Sequence, residues 1–173
     1  MNKEIEFKTF EVKKDEWSSS RFVSETFTGN LEQDQVLLKI DRFALTTNNI
    51  TYCAAGDMFG YWGFFPAEEG FGRVPVMGYA DVVTSNHQDV QVGERLWGFY
   101  PMSNYLVVKA GRVSQSNFFD VNEHRQQYAP IYSQYLRALS NPNYEPARED
   151  HDLLLRGLYL TSWLVEDFMF DNE

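Results

Sequence analysis

Of the 18 residues from Leu153 to Phe170, 12 are apolar or aromatic. Set at steps of about 100° around a helix, they cover nearly the whole circumference, with Arg156, Glu166 and Asp167 confined to one sector. Acids at Glu149, Asp150 and Asp152 suit the start of such a helix, which the pattern predicts from about Ala147 to Phe170. Three charges and acidic flanks argue against a membrane span. A helix of this kind needs cover on most sides, and one small domain supplies only one face. The chain has 173 residues, enough for one domain or one domain with an appendage.

The first 110 residues read as strands and turns. Glu4 to Val12 alternates, with Ile5, Phe7 and Thr9 opposite Glu4, Glu6 and Lys8, the period of a half-buried strand. Val36 to Leu45, Val74 to Val83, Gly93 to Tyr100 and Tyr105 to Lys109 are further strands, separated by turn residues such as Asn86-His87-Gln88-Asp89. Thr47 to Ala55 reads as one short helix, with Thr46 or Thr47 offering a cap oxygen and Gly56 a stop. Met58 to Gly72 carries six aromatics among glycines without either period, and reads as an ordered loop. This rhythm of short strands implies a β-barrel or sandwich.

Past Gly111 the pattern changes. Tyr128, Ile131, Tyr132, Tyr135, Leu136 and Leu139 recur at three- and four-residue spacing, which predicts an amphipathic helix within Asn122 to Ser140, starting near Ala129 or kinked at Pro130. The fold class expected is therefore mainly β with about two C-terminal helices.

Several functions are disfavoured. Acids outnumber bases 25 to 15, a formal charge of −10, the wrong sign for gripping nucleic acid or anionic lipid. Met1 to Lys8 has no apolar stretch of the secretory kind, so a cytoplasmic location is expected. His87, His124 and His151 lie far apart and form no ligand pair for zinc. Cys53, the sole cysteine, has small apolar neighbours and no adjacent base, the setting of an inert buried thiol. Trp17-Ser18-Ser19-Ser20 reads as a loop, and no Gly-x-Ser-x-Gly elbow occurs. Gly70-Phe71-Gly72 is half of a dinucleotide fingerprint and is followed by a strand where the fingerprint needs a helix.

Read in order, these segments resemble the medium-chain dehydrogenase/reductase superfamily, most nearly its quinone-reductase-like members. Gln35-Val36-Leu37-Leu38-Lys39-Ile40 is similar to its "evlVkv" strand. Ala44 to Gly56 resembles its Gly-Leu-Asn-Pro-x-Asp-x-Tyr-x-x-x-Gly segment with local length differences, and Pro75 to Val83 its "P-x-x-x-G-x-x-x-G-x-V" strand. Val92-Gly93-Glu94-Arg95-Leu96-Trp97-Gly98 is similar to "v-G-D-r-V-x-g", and Asn104 to Val108 to "f-a-e-y-v-v-v". Phe99 to Met102, His124-Arg125 and Tyr132 to Tyr135 look closest to an uncharacterised branch.

The resemblance implies a GroES-like, partly open β-barrel over residues 1–120, and a helical extension over 121–173 that would lead into a Rossmann domain binding NAD(P). No cofactor is then bound by this chain itself, the dinucleotide domain being absent from these residues. Leu158 to Leu164 is similar to the helix just before the Rossmann strands. Zinc members carry a cysteine where this chain has Thr46 and Gly-His-Glu where it has Gly78-Tyr79-Ala80, so a metal-free reductase is the type implied. Tyr52 matches the tyrosine of the quinone-reductase segment if one residue is inserted, which makes it the first candidate for a substrate pocket. Thr46, Asn48 and Asn49 lie beside it, although Asn and Thr before a helix commonly serve as caps. Tyr61 and Trp62 are candidates for the pocket mouth, although aromatics packed within their own loop are the reading the residues favour. The implied function is the substrate-side domain of an NAD(P)-dependent quinone-reductase-like enzyme, inactive alone. The alternative is a non-catalytic binding module. On either reading the C-terminal helix is the surface for a homo-oligomer or a Rossmann-domain partner, with nucleic acid and membrane excluded as partners.

Overall fold

The computed structural model describes residues 4–170. Strand β1 (Ile5–Lys13) pairs with β2 (Ser20–Phe27) on one side and with the two-residue β4 (Phe71–Gly72) on the other. Along β1 the odd positions up to Glu11 turn inward as the alternation predicts, Val12 on the other face is buried as well, and the odd face ends on a charge. Glu11 is buried, with Arg21 at 2.8 Å and Arg73 at 2.9 Å as counter-ions. β2 was not legible as a strand: it is an edge strand held by β1 alone, and its Phe22 remains exposed.

The remaining strands are β3 (Gln35–Phe43), β5 (Pro75–Ser85), β6 (Arg95–Pro101), β7 (Tyr105–Gly111), β8 (Asn117–Asp120) and β9 (Gln134–Arg137). They form a closed barrel in the order β3-β5-β6-β9-β8-β7. Val36, Leu38 and Ile40 of β3, Val76, Ala80 and Val82 of β5, and Leu96 and Tyr100 of β6 fill its interior. The architecture is mainly β with helices toward the C-terminus, as expected.

Three expectations are corrected here. The barrel is closed rather than partly open, and it does not end near residue 120, because β9 completes it. The helix expected within Asn122 to Ser140 is also absent; Glu123–Arg125 and Pro130–Ser133 are 3-10 turns that lead into β9. Pro130 lacks an N–H and blocks a continuous helix. Tyr135 then enters the barrel, fully buried 5.4 Å from the Tyr100 ring and 5.5 Å from Phe118. Its hydroxyl donates to the Phe99 carbonyl at 3.2 Å. Gly98 opposite makes room, since a Cβ there would lie 2.6 Å from the Tyr135 ring. Barrel closure therefore overrides a helical spacing that was coincidental.

Helix α1 (Thr47–Ala54) lies between β3 and the aromatic loop. In that loop Trp62, Phe64 and Phe65 are buried, Trp62 against Val12 and Val74. Helix α2 (Glu149–Phe170) is fixed to the barrel at its start, where Leu153 joins Ala44, Tyr79 and Ala138. Farther along, the described side chains are largely exposed.

Candidate functional site

The site is built on α1. Asn49, the third helical residue, bends its side chain back so that Oδ1 accepts the Thr46 backbone N–H at 2.6 Å. Its Nδ2 donates to the Pro75 carbonyl at 2.9 Å, tying α1 to β5. Asn49 is buried and both ends of its amide are engaged. Thr46 and Asn49 therefore cap and dock the helix, the ordinary role of such residues.

Docked in this way, α1 faces the first turns of α2 across a narrow slot. Ala44, Thr46, Asn48, Asn49 and Tyr52 form one wall, with Leu153, Leu154, Gly157 and Leu158 opposite and Met77 at the floor. Four of the six sequence candidates thus meet in one place. The slot holds about 10 Å³ of water-sized space, room for roughly one water molecule. With Thr46 and Asn49 committed to the helix cap, Asn48 and Tyr52 are its polar side chains left to meet a ligand.

Tyr61, the fifth candidate, is not on the slot. It stands behind Tyr52, ring centroids 4.9 Å apart and inclined at 65°. From there an aromatic wall continues to Phe64 at 5.5 Å and Tyr132 at 5.8 Å, with Phe99 5.0 Å from Tyr132. Burial, with a smaller contribution from Tyr61, raises the Tyr52 hydroxyl above its ordinary pKa, so it is a proton-bearing hydrogen-bond group at neutral pH. Burial also pushes the Cys53 thiol up, the opposite of what a thiolate nucleophile requires. Trp62 is buried against Val12 and Val74 and is not among the residues lining the slot.

Sequence reasoning missed the α2 side of the slot. One signal was present in Gly157, a glycine inside an apolar helix. A Cβ there would fall 2.5 Å from Cε of Met77, so glycine lets α2 approach β5 closely. Arg125 was also missed. It is buried, donates to the Phe64 carbonyl at 2.7 Å and to the Tyr132 carbonyl, and so braces the aromatic wall from behind.

The model of the family described as "Protein of unknown function (DUF2855)" matches residues 43–173, from the end of β3 through α2. The chain belongs to this family. The matched region contains α1, the aromatic wall, the last five strands of the barrel and both walls of the slot. No curated protein matches the chain. Among the described residues no group of three or more His, Cys, Asp or Glu side chains is placed to hold a metal ion. No described helix is long and apolar enough to cross a membrane.

Proposed function

We propose that this DUF2855 chain is the substrate-side domain of a two-part, metal-free oxidoreductase of the quinone-reductase type, inactive without its second part. The observation that carries the reading is the slot itself. The tyrosine-bearing segment that resembles the superfamily's pocket lies against the helix that resembles the superfamily's link to its nucleotide-binding domain. A substrate pocket split between two units is half-built in either one, which fits a slot with room for a single water. Next to it, Leu154 and Leu158 are exposed and offer a seat for the second unit.

A nicotinamide dinucleotide does not fit the described residues. Pyrophosphate binding of the Rossmann kind needs a strand, a glycine-rich turn and a helix N-terminus in sequence. Here Gly70 and Gly72 lead into β5, and α1 follows a strand without such a turn. The contribution of this chain is therefore confined to substrate: Tyr52 donates a hydrogen bond, Asn48 an amide contact, and the aromatic wall a flat apolar backing suited to a planar ring.

The test is a fluorescence titration of residues 1–173 with NADPH, with menadione as the trial acceptor, alongside a longer product if the reading frame continues past residue 173. The expected result is no saturable change for residues 1–173, and NADPH-dependent turnover once a glycine-rich strand–turn–helix unit is present. Saturable NADPH binding by residues 1–173 overturns the reading.

A further inference from the structure

We propose that the face of α2 turned away from α1 is a self-association surface, on which a second copy of this chain lays its own α2 antiparallel. The inference does not rest on the reductase reading, which concerns the neighbouring face of α2, with Leu158 bordering both.

A groove of about 670 Å³ follows this part of the helix, lined among others by Asn141, His151, Leu155, Tyr159, Ser162 and Trp163. Leu155, Tyr159 and Trp163 are 60%, 71% and 48% exposed, a large apolar load for an uncovered surface. The distribution of charge along the face selects the occupant and its direction. Arg156 lies toward the helix start, beside Asp152, whereas Glu166 and Asp167 lie toward its end with no cation of α2 near them. Residues advance by about 100° and about 1.5 Å along a helix. An antiparallel copy related by a two-fold axis level with Thr161 therefore sets Arg156 level with the second copy's Glu166, while the second copy's Asp167, about 1.5 Å away along the axis and within about 20° of Arg156's bearing around it, lies on the edge that Arg156 occupies. The same operation sets Tyr159 level with the second copy's Trp163, and each contact occurs twice, as a closed two-fold interface requires. A parallel pair would instead bring Arg156 against Arg156 and acid against acid. The pattern is self-complementary in one direction only.

Arg156 is well placed for this role. Its guanidinium lies 4.6 Å from the Trp97 ring and 3.9 Å from Asp152, so it is held at the groove while still a third exposed.

Sedimentation equilibrium of residues 1–173 at low salt is the test, with Arg156→Glu, with the pair Glu166→Arg and Asp167→Arg, and with all three changes together. The expected result is a dimer that either reversal weakens roughly tenfold, since each places two like-charge contacts in the interface. The triple variant regains wild-type association. Helix content by circular dichroism is followed in every variant, so that loss of α2 is not mistaken for loss of pairing. A monomeric wild-type chain, or a dimer indifferent to both reversals, overturns the proposal. Failure of the triple variant to recover, with α2 intact, overturns the antiparallel register.

Discussion

Arg95 of β6 and Glu149 at the start of α2 meet with Nη2 and Oε2 2.6 Å apart, and this pair is the hinge-pin between barrel and helix. Glu149 is only 4% exposed. Arg95 also reaches Asp41 at 2.7 Å and Asp81 at 3.1 Å, and the Tyr144 hydroxyl donates to Glu149 at 2.7 Å. Tyr79 adds a second tie, donating to Asp152 at 3.0 Å. Replacing Arg95 by Ala takes the nearer counter-ion from the buried Glu149 carboxylate and leaves it Arg42 at 3.4 Å and the Tyr144 hydroxyl, a loss of about 1.5–3 kcal/mol. Urea unfolding should show a loss of that size; a loss below about 1 kcal/mol would mean that α2 is held by its apolar contacts alone.

The same pair sets the response to acid. Burial pushes Glu149 up, but hydrogen bonds from Arg95 and Tyr144 outweigh it and hold the carboxyl below its ordinary value. Asp41 is held down chiefly by its hydrogen bond from Arg95, against a smaller effect of burial. A folded-state value below the unfolded one stabilises above the unfolded pKa, and that contribution is lost as pH falls through the folded value. Stability should therefore hold from about pH 7 to pH 5 and decline below about pH 4. Glu149→Gln should flatten the acid limb. Urea midpoints across this range, read for both proteins, are the check.

Asn49 and Asn48 are neighbours with opposite roles. Asn49→Ala removes an acceptor from the Thr46 N–H and leaves the Pro75 carbonyl buried without its donor, a loss of about 1–3 kcal/mol. Asn48 sits on the slot and caps nothing, so Asn48→Ala should stay within about 0.5 kcal/mol of wild type. Thermal unfolding of the two variants side by side distinguishes them. Equal losses would return Asn48 to a structural role and remove it from the slot's ligand-facing groups.

What was legible in the sequence was local. β1, β3, β5, β6 and β7 carry alternating or continuous apolar runs between turns, and α1 announces itself through Thr46, Asn49 and Gly56 within one short segment. Thr46, Asn48, Asn49 and Tyr52 were found together because a single helix carries them. β8 and β9 have four residues each and owe their existence to partners far away in sequence, Asn117 pairing with Leu136 and Leu96 with Arg137. The α2 wall of the slot depends on where a helix 100 residues later docks, and the three- and four-residue spacing around Tyr132 pointed the wrong way. Tyr132 is in the aromatic wall because Pro130 breaks the helix and Arg125 ties the Tyr132 carbonyl of the turn to the Phe64 carbonyl of the aromatic loop.

The rotation of α2 is open to a direct test by two adjacent leucines. Leu153 is buried among Ala44, Tyr79 and Ala138, whereas Leu154, one position on, borders the slot and is half exposed. Truncating a buried leucine loses the transfer energy of its methyl groups and leaves a void, about 2–4 kcal/mol for Leu153→Ala. The same change at Leu154 removes side-chain carbons that water already reaches, and its cost should stay below about 1 kcal/mol. Both substitutions leave helix propensity equally altered, so their difference reports packing alone. The measurement is the pair of urea unfolding curves, and the helix is docked as described if Leu153→Ala shifts the midpoint and Leu154→Ala barely does. A reversed order would place α2 about 100° away around its axis, and the slot against Tyr52 would lose its second wall.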